Sequence, residues 1–331
     1  MEQHIPFVLH ASCVPVKGAA KSLICDLQKQ GYISIPNVLF EILEKYERKT
    51  IHDIKKAYPN NDEAIDSYFL NLEKEGFLFY TNTPELFPKL EMEWHDPSSI
   101  NNAIIDLDKY STFDVMSIIE QLIGLQCKHV QIRVFSAKPL SFYKEILKQC
   151  KSMCISSLEF IMKYDPSISF KKLQSIVQNE AKRVSFLVHT APQKKDTVDN
   201  ITFISNALTS ETHCGVISAN HFSVNVKSFS EANLFNSCLN KKISVDKHGN
   251  IKNCPSMSKS FGHITNTTLK DIVNNKEFKE QWSIKKDQID VCRDCEFRYI
   301  CSDCRAYIED EKNPKSKPQK CNYNPYTGIW N

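Results

Sequence analysis

The sequence has little glycine, no long apolar run and no excess of one charge. Its eight glycines make up about 2.4% of the 331 residues, where about 7% would be usual. None of them forms a GxGxxG or GxxxxGK motif. Nucleotide-binding loops of those two types are therefore excluded. No stretch approaches the ~20 apolar residues that a membrane-spanning helix needs, so no membrane span is expected. With 42 Lys+Arg against 39 Asp+Glu, nucleic acid is not the expected partner.

A secretion signal is also missing from the N-terminus. The first residues, MEQHIPFVLHASC, have no basic region, and their apolar stretch is short and interrupted. We therefore expect a cytoplasmic protein, in which 13 cysteines, an odd number, do not form a disulfide framework. Seven of them lie within residues 238–331. That clustering is the feature of the sequence that needs an explanation.

The pattern of apolar residues predicts an α/β protein with three domains. Residues 1–95 predict strands at 7–16, 22–27, 32–35 and 77–80 with three short helices between the last two, which is the order of a winged helix-turn-helix. Residues 96–230 alternate β-branched apolar runs, at 103–107, 129–135, 158–162 and 184–189, with helical patterns. Such βα units predict a parallel sheet, here a degenerate partial βα barrel. Residues 231–331 have little periodicity and predict a cysteine-rich domain held by ligands.

The C-terminal cysteines follow a defined spacing. It reads Cys238-x10-Gly249-x4-Cys254, then Cys292-x2-Cys295-x5-Cys301-x2-Cys304, then Cys321. Zinc ribbons usually separate their CxxC pairs by ~15–20 residues, and five residues is short for that. The short spacing favours interleaved ligation of iron–sulfur clusters. Zinc and free thiols remain alternatives.

The stretches CLNKKISVDKHGNIKNCPSMSKSFGHI and CRDCEFRYICSDCRAY resemble the SPASM domain of radical SAM peptide-modifying enzymes. One departure is the last cysteine pair, spaced x2 where the family more often has x3. The resemblance implies two auxiliary [4Fe–4S] clusters, the first held by Cys238, Cys254 and Cys304. The second would be held by Cys292, Cys295, Cys301 and Cys321.

The first of these clusters lacks a fourth ligand. Cys214, in His213-Cys214-Gly215, is the nearest candidate, and an open iron site is the alternative. The other cysteines, Cys13, Cys25, Cys127, Cys150 and Cys154, are predicted to lie in the core.

The cluster that cleaves S-adenosylmethionine has no ligands in this sequence. Radical SAM chemistry needs a CxxxCxxC loop after the first barrel strand, but here that loop reads DKYSTFDVM. Cys150-x3-Cys154 is the one CxxxC, and residue 157 is serine. We therefore expect no bound S-adenosylmethionine and a pseudo-enzyme of the radical SAM type, without an identifiable catalytic residue.

The whole chain resembles the SPASM-domain peptide maturases of grasp-with-spasm systems. The resemblance rests on HASCVPVKGAAKSLICDLQ, on HCG and on CLNKKISVD with GNIKNCPSMSKSFG. It implies a role in maturing a ribosomally made peptide, with an ATP-grasp ligase and the precursor peptide as partners.

The N-terminal unit would then recognise the leader of the precursor. An extended peptide can add to an exposed strand edge, and the candidate edge is Tyr32, Ile33, Ser34 and Ile35, with residues 62–74 as the second wall. That helical segment is acidic, which argues against the DNA-binding alternative.

Three functions remain open from the sequence. The first is a maturation factor that presents the precursor to the ligase. The second is an iron–sulfur redox enzyme that modifies the precursor itself. The third is a zinc-stabilised interaction protein.

Overall fold

The computed structural model describes residues 2–150, 155–180 and 183–331. It is a mixed α/β structure built around a large, mostly parallel sheet. Cys154, one of the predicted core cysteines, lies outside the described residues. The prediction is confirmed for Cys13, Cys25, Cys127 and Cys150, all of which are buried.

Short antiparallel strands and three helices make up the N-terminal part. Its elements are β1 (Phe7–Leu9), β2 (Cys13–Val16), β3 (Ser22–Asp26), β4 (Gly31–Ile35), α1 (Asn37–Tyr46), α2 (Ile51–Ala57), α3 (Asp62–Lys74) and β5 (Leu78–Tyr80). Strands β2, β3 and β4 form an antiparallel sheet in that order, and β1 pairs antiparallel with β5. The winged helix-turn-helix assignment stays a prediction.

The single strand predicted for residues 7–16 is wrong. The chain turns after β1, where the N–H of Cys13 donates to the carbonyl of His10 at 2.7 Å. The two halves then join different sheets: Phe7 lies opposite Tyr80, and Val14 lies opposite Cys25. No glycine or proline marks this turn in the sequence, so the apolar pattern did not reveal it.

Eight strands form the large sheet, and three helices alternate with its first four strands along the chain. The elements are β6 (Asn102–Leu107), α4 (Val115–Gly124), β7 (His129–Val134), α5 (Leu140–Cys150), β8 (Ser157–Lys163), α6 (Phe170–Gln178), β9 (Arg183–His189), β10 (Lys195–Val198), β11 (Ile201–Phe203), β12 (Lys242–Val245) and β13 (Ile251–Lys252). Their order across the sheet is β10-β11-β9-β8-β7-β6-β12-β13. The six strands from β11 to β12 run parallel, which confirms the predicted parallel sheet. The two outer strands are antiparallel to their neighbours.

The two faces of this sheet differ in polarity. Successive side chains of a strand point to opposite faces. On one face, apolar residues such as Val130, Ile132 and Phe160 join helices α4–α6 in the main hydrophobic core. The opposite face, called the polar face here, carries His129, Gln131 and Arg133 from β7 and corresponding polar side chains from β6, β8 and β12. Parallel sheets are usually apolar on both faces, so the polar side chains on this face indicate a candidate functional site.

The C-terminal part holds short elements and long connections. They are α7 (Val226–Leu234), α8 (Leu269–Asn274), α9 (Lys276–Glu280), β14 (Tyr323–Asn324) and β15 (Ile329–Trp330). One hydrophobic cluster joins Leu23 and Cys25 of β3 to Phe297, Ile300 and other residues of this part. The N-terminal sheet therefore packs directly on the cysteine-rich segment. Among the helices that the structure describes, none is long and apolar enough to cross a bilayer.

Candidate metal centres

Eight cysteines gather into two groups of four. The first group is Cys214, Cys238, Cys254 and Cys304; the second is Cys292, Cys295, Cys301 and Cys321. Within the first group, the charges of Cys254, Cys214 and Cys304 all act on Cys238. The four members of the second group line one small cavity. This division is the one that the SPASM resemblance implies, with Cys214 as the fourth member of the first group.

Local hydrogen bonds set the first group in place. The side-chain oxygen of Asn236 accepts from the N–H groups of Cys238 at 3.1 Å and Leu239 at 2.9 Å, which fixes the turn after α7. Cys254 is buried just beyond β13. Cys214 follows a short 3₁₀ turn at Glu211–His213.

Gly215 allows Cys214 to approach Cys304. Its φ is +86°, and a Cβ built on it would lie 2.9 Å from the Sγ of Cys304 and 2.9 Å from Cδ2 of Tyr307. A non-glycine residue would be strained by its backbone conformation and would also meet these two side chains. Steric constraints thus explain the glycine of the HCG motif. This glycine lets Cys214 lie beside Cys304, which is 90 residues further along the chain.

The second group lies in an apolar pocket. Cys292 and Cys295 are joined by a 3₁₀ turn, in which the N–H of Cys295 donates to the carbonyl of Cys292 at 3.1 Å. A cavity of about 20 Å³ lies among the four thiols and is also lined by Ile217, Phe222, Phe297, Tyr323 and Trp330, among others. Burial raises the pKa of Cys292 to about 11. Within this lining, Cys292 and Cys301 are buried, and Cys295 and Cys321 are half-buried.

Backbone amides favour the thiolate forms in both groups. Burial raises the pKa of Cys304, but the N–H groups of Tyr307 and Ala306 donate to its sulfur and oppose that rise. Burial also raises the pKa of Cys295, and the N–H of Phe297 opposes it. Thiolate is the form that binds metals, and N–H donors to sulfur are a feature by which proteins adjust iron–sulfur clusters.

The donor set is chemically suited to a soft metal centre. All eight cysteines are free thiols, and sulfur donors of this kind select zinc, copper(I) or iron–sulfur clusters. Across the described ranges, no three His, Cys, Asp or Glu side chains lie close enough together to hold a single metal ion. The two groups are assemblies of donors, and their role as ligands is taken up below as a proposal.

A polar cavity of about 410 Å³ adjoins the first group. Cys214 and Cys238 line it together with Lys242 of the polar face. Other residues of the polar face also line it; among them, Ser157 Oγ lies 2.8 Å from Nδ1 of His129, and Gln131 donates to Glu159 at 2.5 Å. None of the sequence motifs predicted these residues. The signal was the polar–apolar alternation in HVQIRV and SLEFIMK, where every second side chain turns away from the helices.

The predicted peptide-binding residues lie on a sheet edge. Tyr32, Ile33, Ser34 and Ile35 belong to β4, which pairs with β3 alone among the described strands. Tyr32 is 37% exposed, and its ring centroid lies 5.7 Å from that of Phe297. The edge therefore stands next to the second cysteine group.

A protein-family comparison matches part of the cysteine-rich segment. Residues 237–296 match the SPASM family, an iron–sulfur cluster-binding domain. This SPASM segment contains Cys238, Cys254, Cys292 and Cys295. It does not reach Cys301, Cys304 and Cys321, and Cys214 precedes it. No curated protein matches the chain.

Several solved structures align with nearly the whole chain, but weakly. SuiB of Streptococcus suis bound to S-adenosylmethionine has 11% sequence identity and a TM-score of 0.37, covering 95% of this chain and 99% of SuiB. SuiB bound to its precursor peptide SuiA gives 10% identity and a TM-score of 0.37, with the same two coverages. Scores this low do not establish a common fold, so nothing about this chain follows from them.

Proposed function

We propose that this chain is a maturation factor for a ribosomally made peptide. It binds the precursor through β4 and holds two [4Fe–4S] clusters, and an ATP-grasp ligase forms the new bond. The observation that carries the proposal is the gathering of eight thiols into two groups of four around and beyond the SPASM segment.

Each cysteine group has the donors for one cluster. Cys214, Cys238, Cys254 and Cys304 would hold the first and Cys292, Cys295, Cys301 and Cys321 the second. Such clusters supply one-electron redox chemistry or structural cross-linking. The residues of this chain line the cavity among the thiols of the second group with aromatic side chains, and donate N–H groups to the sulfurs of Cys295 and Cys304.

No cysteine stands where a SAM-cleaving cluster would need its ligands. Strand β6 is the first strand of the large sheet in chain order, and residues 108–114, which connect it to α4, contain no cysteine. This supports a factor that does not cleave S-adenosylmethionine, and it leaves bond formation to the partner ligase.

Metal analysis after anaerobic purification tests the cluster proposal. We expect about eight irons and eight sulfides per chain, since each [4Fe–4S] cluster holds four. Cys238→Ser and Cys292→Ser should each lose about half of the iron, because they belong to different groups. Cys127→Ser is the matched control: this thiol is buried in the main core, with Sγ 3.7 Å from the carbonyl of Asn101, and its loss should leave the iron unchanged. One or two zincs without sulfide would overturn the proposal in favour of a zinc-stabilised interaction protein.

Two features support β4 as the docking edge for the leader peptide. The opposite edge of the same sheet, β2, contains Pro15, which cannot donate a backbone hydrogen bond to an added strand. Residues 87–90 and Met92 also lie beside β2, across a cavity of about 180 Å³. Strand β4 has no proline, and Ser34 is exposed on it.

Binding of a labelled precursor peptide tests this edge. Ser34→Pro removes one N–H from β4 and should weaken binding at least tenfold if the leader adds as a strand. Ser34→Ala keeps the backbone and should bind like the parent protein. Unchanged affinity in Ser34→Pro, with folding verified by circular dichroism, would reject β4 as the edge.

The polar cavity favours a second candidate function, an iron–sulfur redox enzyme that modifies the precursor itself. Cys214 and Cys238 of the first group line that cavity, so a substrate bound there would contact the first cluster. Incubation of the reduced, cluster-loaded protein with precursor alone separates the two functions. A mass change in the precursor without the ligase would favour the redox enzyme, and none would favour the maturation factor.

A further inference from the structure

Each cysteine group has one buried lysine against it. Lys242 is 9% exposed and Lys286 is 3% exposed, although lysine is almost never fully buried without a partner. The Nζ of Lys242 lies 3.6 Å from the Sγ of Cys238 in the first group. The Nζ of Lys286 lies 3.5 Å from the Sγ of Cys301 in the second.

Lys242 has thiols as its electrostatic partners. No carboxylate lies within ion-pair distance of its ammonium group among the described residues. Burying a charge without an opposite charge is strongly unfavourable, and the acceptor that the described residues offer to its Nζ is the Sγ of Cys238. The charges of Cys238, Cys254 and Cys214 all act on this lysine.

Lys286 is in a different charge environment. Its Nζ also lies 3.7 Å from Oδ1 of Asp303, a carboxylate that is bound in turn by Arg305 and Asn236. A second buried carboxylate, Glu296, acts on Cys295. Arg298 also lines the cavity of this group and is paired with Asp287. Three cations next to the second group, Lys286, Arg298 and Arg305, are therefore matched by three carboxylates, Asp303, Asp287 and Glu296, whereas the ammonium group next to Cys238 has no carboxylate partner in the part of the chain that the structure describes.

We propose that Lys242 and Lys286 set the reduction potentials of the two centres, and that the first centre has the higher potential. This rests on the proposed function, because it needs a cluster in each group. Adding one electron from a chemical reductant makes a cluster more negative, and a nearby ammonium group stabilises that reduced state. The unbalanced Lys242 stabilises it more than Lys286 does. Both lysines are positioning residues that act through the sulfur ligands.

The sequence provides matched controls. Each buried lysine directly follows another lysine that contacts no thiol. Lys241 donates to the carbonyls of Asp96 and Ser98. Lys285 donates to the carbonyl of Asn233 at 3.1 Å and forms an ion pair with Asp287 at 3.2 Å. A Lys→Met change at either control position removes the same charge one residue away.

A redox titration of the cluster-loaded full chain, followed by electron paramagnetic resonance, tests the proposal. In the parent protein, the signal that is lost in Cys238→Ser should be the one with the higher potential. Lys242→Met should make reduction of that cluster about tenfold less favourable, a fall of about 59 mV for one electron. Lys286→Met should lower the potential of the other cluster, and Lys241→Met and Lys285→Met should leave both potentials unchanged.

The outcomes separate this proposal from the proposed function. If the parent protein binds no iron and sulfide, the proposed function fails. If the clusters assemble and Lys242→Met titrates like Lys241→Met, the lysine proposal is overturned. If Lys242→Met does not hold the first cluster, Lys242→Arg, which keeps the positive charge, is tested next. A cluster retained in Lys242→Arg would show that the first centre needs a positive charge at position 242. A cluster lost in Lys242→Arg as well would reject that need.

Discussion

Arg133 and Asp106 form a buried ion pair between neighbouring strands of the polar face. Nε of Arg133 donates to Oδ1 of Asp106 at 2.6 Å, and Nη2 donates to Oδ2 at 2.7 Å. The two residues stand directly opposite each other in β7 and β6. Burial opposes the charge on Arg133, but the hydrogen bonds and charge of Asp106 raise the pKa of the guanidinium above its ordinary value.

Removing only one member of this pair should destabilise the protein. Arg133→Met leaves the carboxylate of Asp106 buried without its partner, and we expect a loss of about 3–5 kcal/mol in the free energy of unfolding. Urea denaturation measures it. The double variant Arg133→Met with Asp106→Leu should recover most of that loss, since it removes both charges. A loss below about 1 kcal/mol for Arg133→Met would contradict the interpretation.

The stability of the protein should fall as the pH drops through the histidine range. His189 is 1% exposed, its Nδ1 accepts from the N–H of Leu208 at 3.3 Å, and its Nε2 lies 3.5 Å from the carbonyl of Val134. Burial lowers the pKa of His189 in the folded state. The unfolded chain therefore binds the proton more readily, and the stability from neutral His189 is complete above the unfolded pKa of about 6.5 and is lost as the pH falls below it.

Unfolding midpoints measured from about pH 7 to about pH 5 test this assignment. His189→Gln should show a smaller fall over that range than the parent protein. His248→Gln changes an exposed histidine and should follow the parent curve. Identical pH profiles for His189→Gln and the parent protein would refute the role of His189.

The sequence predicted those features that depend on local patterns. The runs at 103–107 and 184–189 became strands β6 and β9, and the three short helices expected between 35 and 77 became α1, α2 and α3. The grouping of Cys292 with Cys295 follows from two-residue spacing on one turn. In these cases, the residues that decide the structure are neighbours in the chain.

Features that depend on distant pairing could not be predicted. Strand β12 joins the large sheet by placing Ile243 opposite Ala103, and no pattern within KISV specifies that partner. Lys241 and Lys242 likewise look equivalent as a sequence. Only the register of β12 turns Lys242 toward Cys238 and leaves Lys241 with Asp96 and Ser98.

Gly215→Ala should disrupt the first cysteine group alone. A Cβ at position 215 would stand 2.9 Å from the Sγ of Cys304, in a backbone conformation that alanine adopts at a cost of about 1–2 kcal/mol. The segment that carries Cys214 must then move away from Cys304. We expect this variant to lose about half of the bound iron, since each [4Fe–4S] cluster holds four of about eight, and the electron paramagnetic resonance signal assigned to the first centre should disappear.

Gly124→Ala is the matched control, because nothing lies within 4 Å of a Cβ built on Gly124 at the end of α4. It should keep all of the iron. If Gly215→Ala also keeps all of it, the first centre does not need Cys214 in its observed position, as expected for an open iron site. Loss of both signals in Gly215→Ala would show instead that the substitution unfolds the segment as a whole. Because the control changes the same residue type at a site without a positive φ or a close neighbour, any difference between the two variants reflects the backbone conformation of position 215 and its contacts with Cys304 and Tyr307.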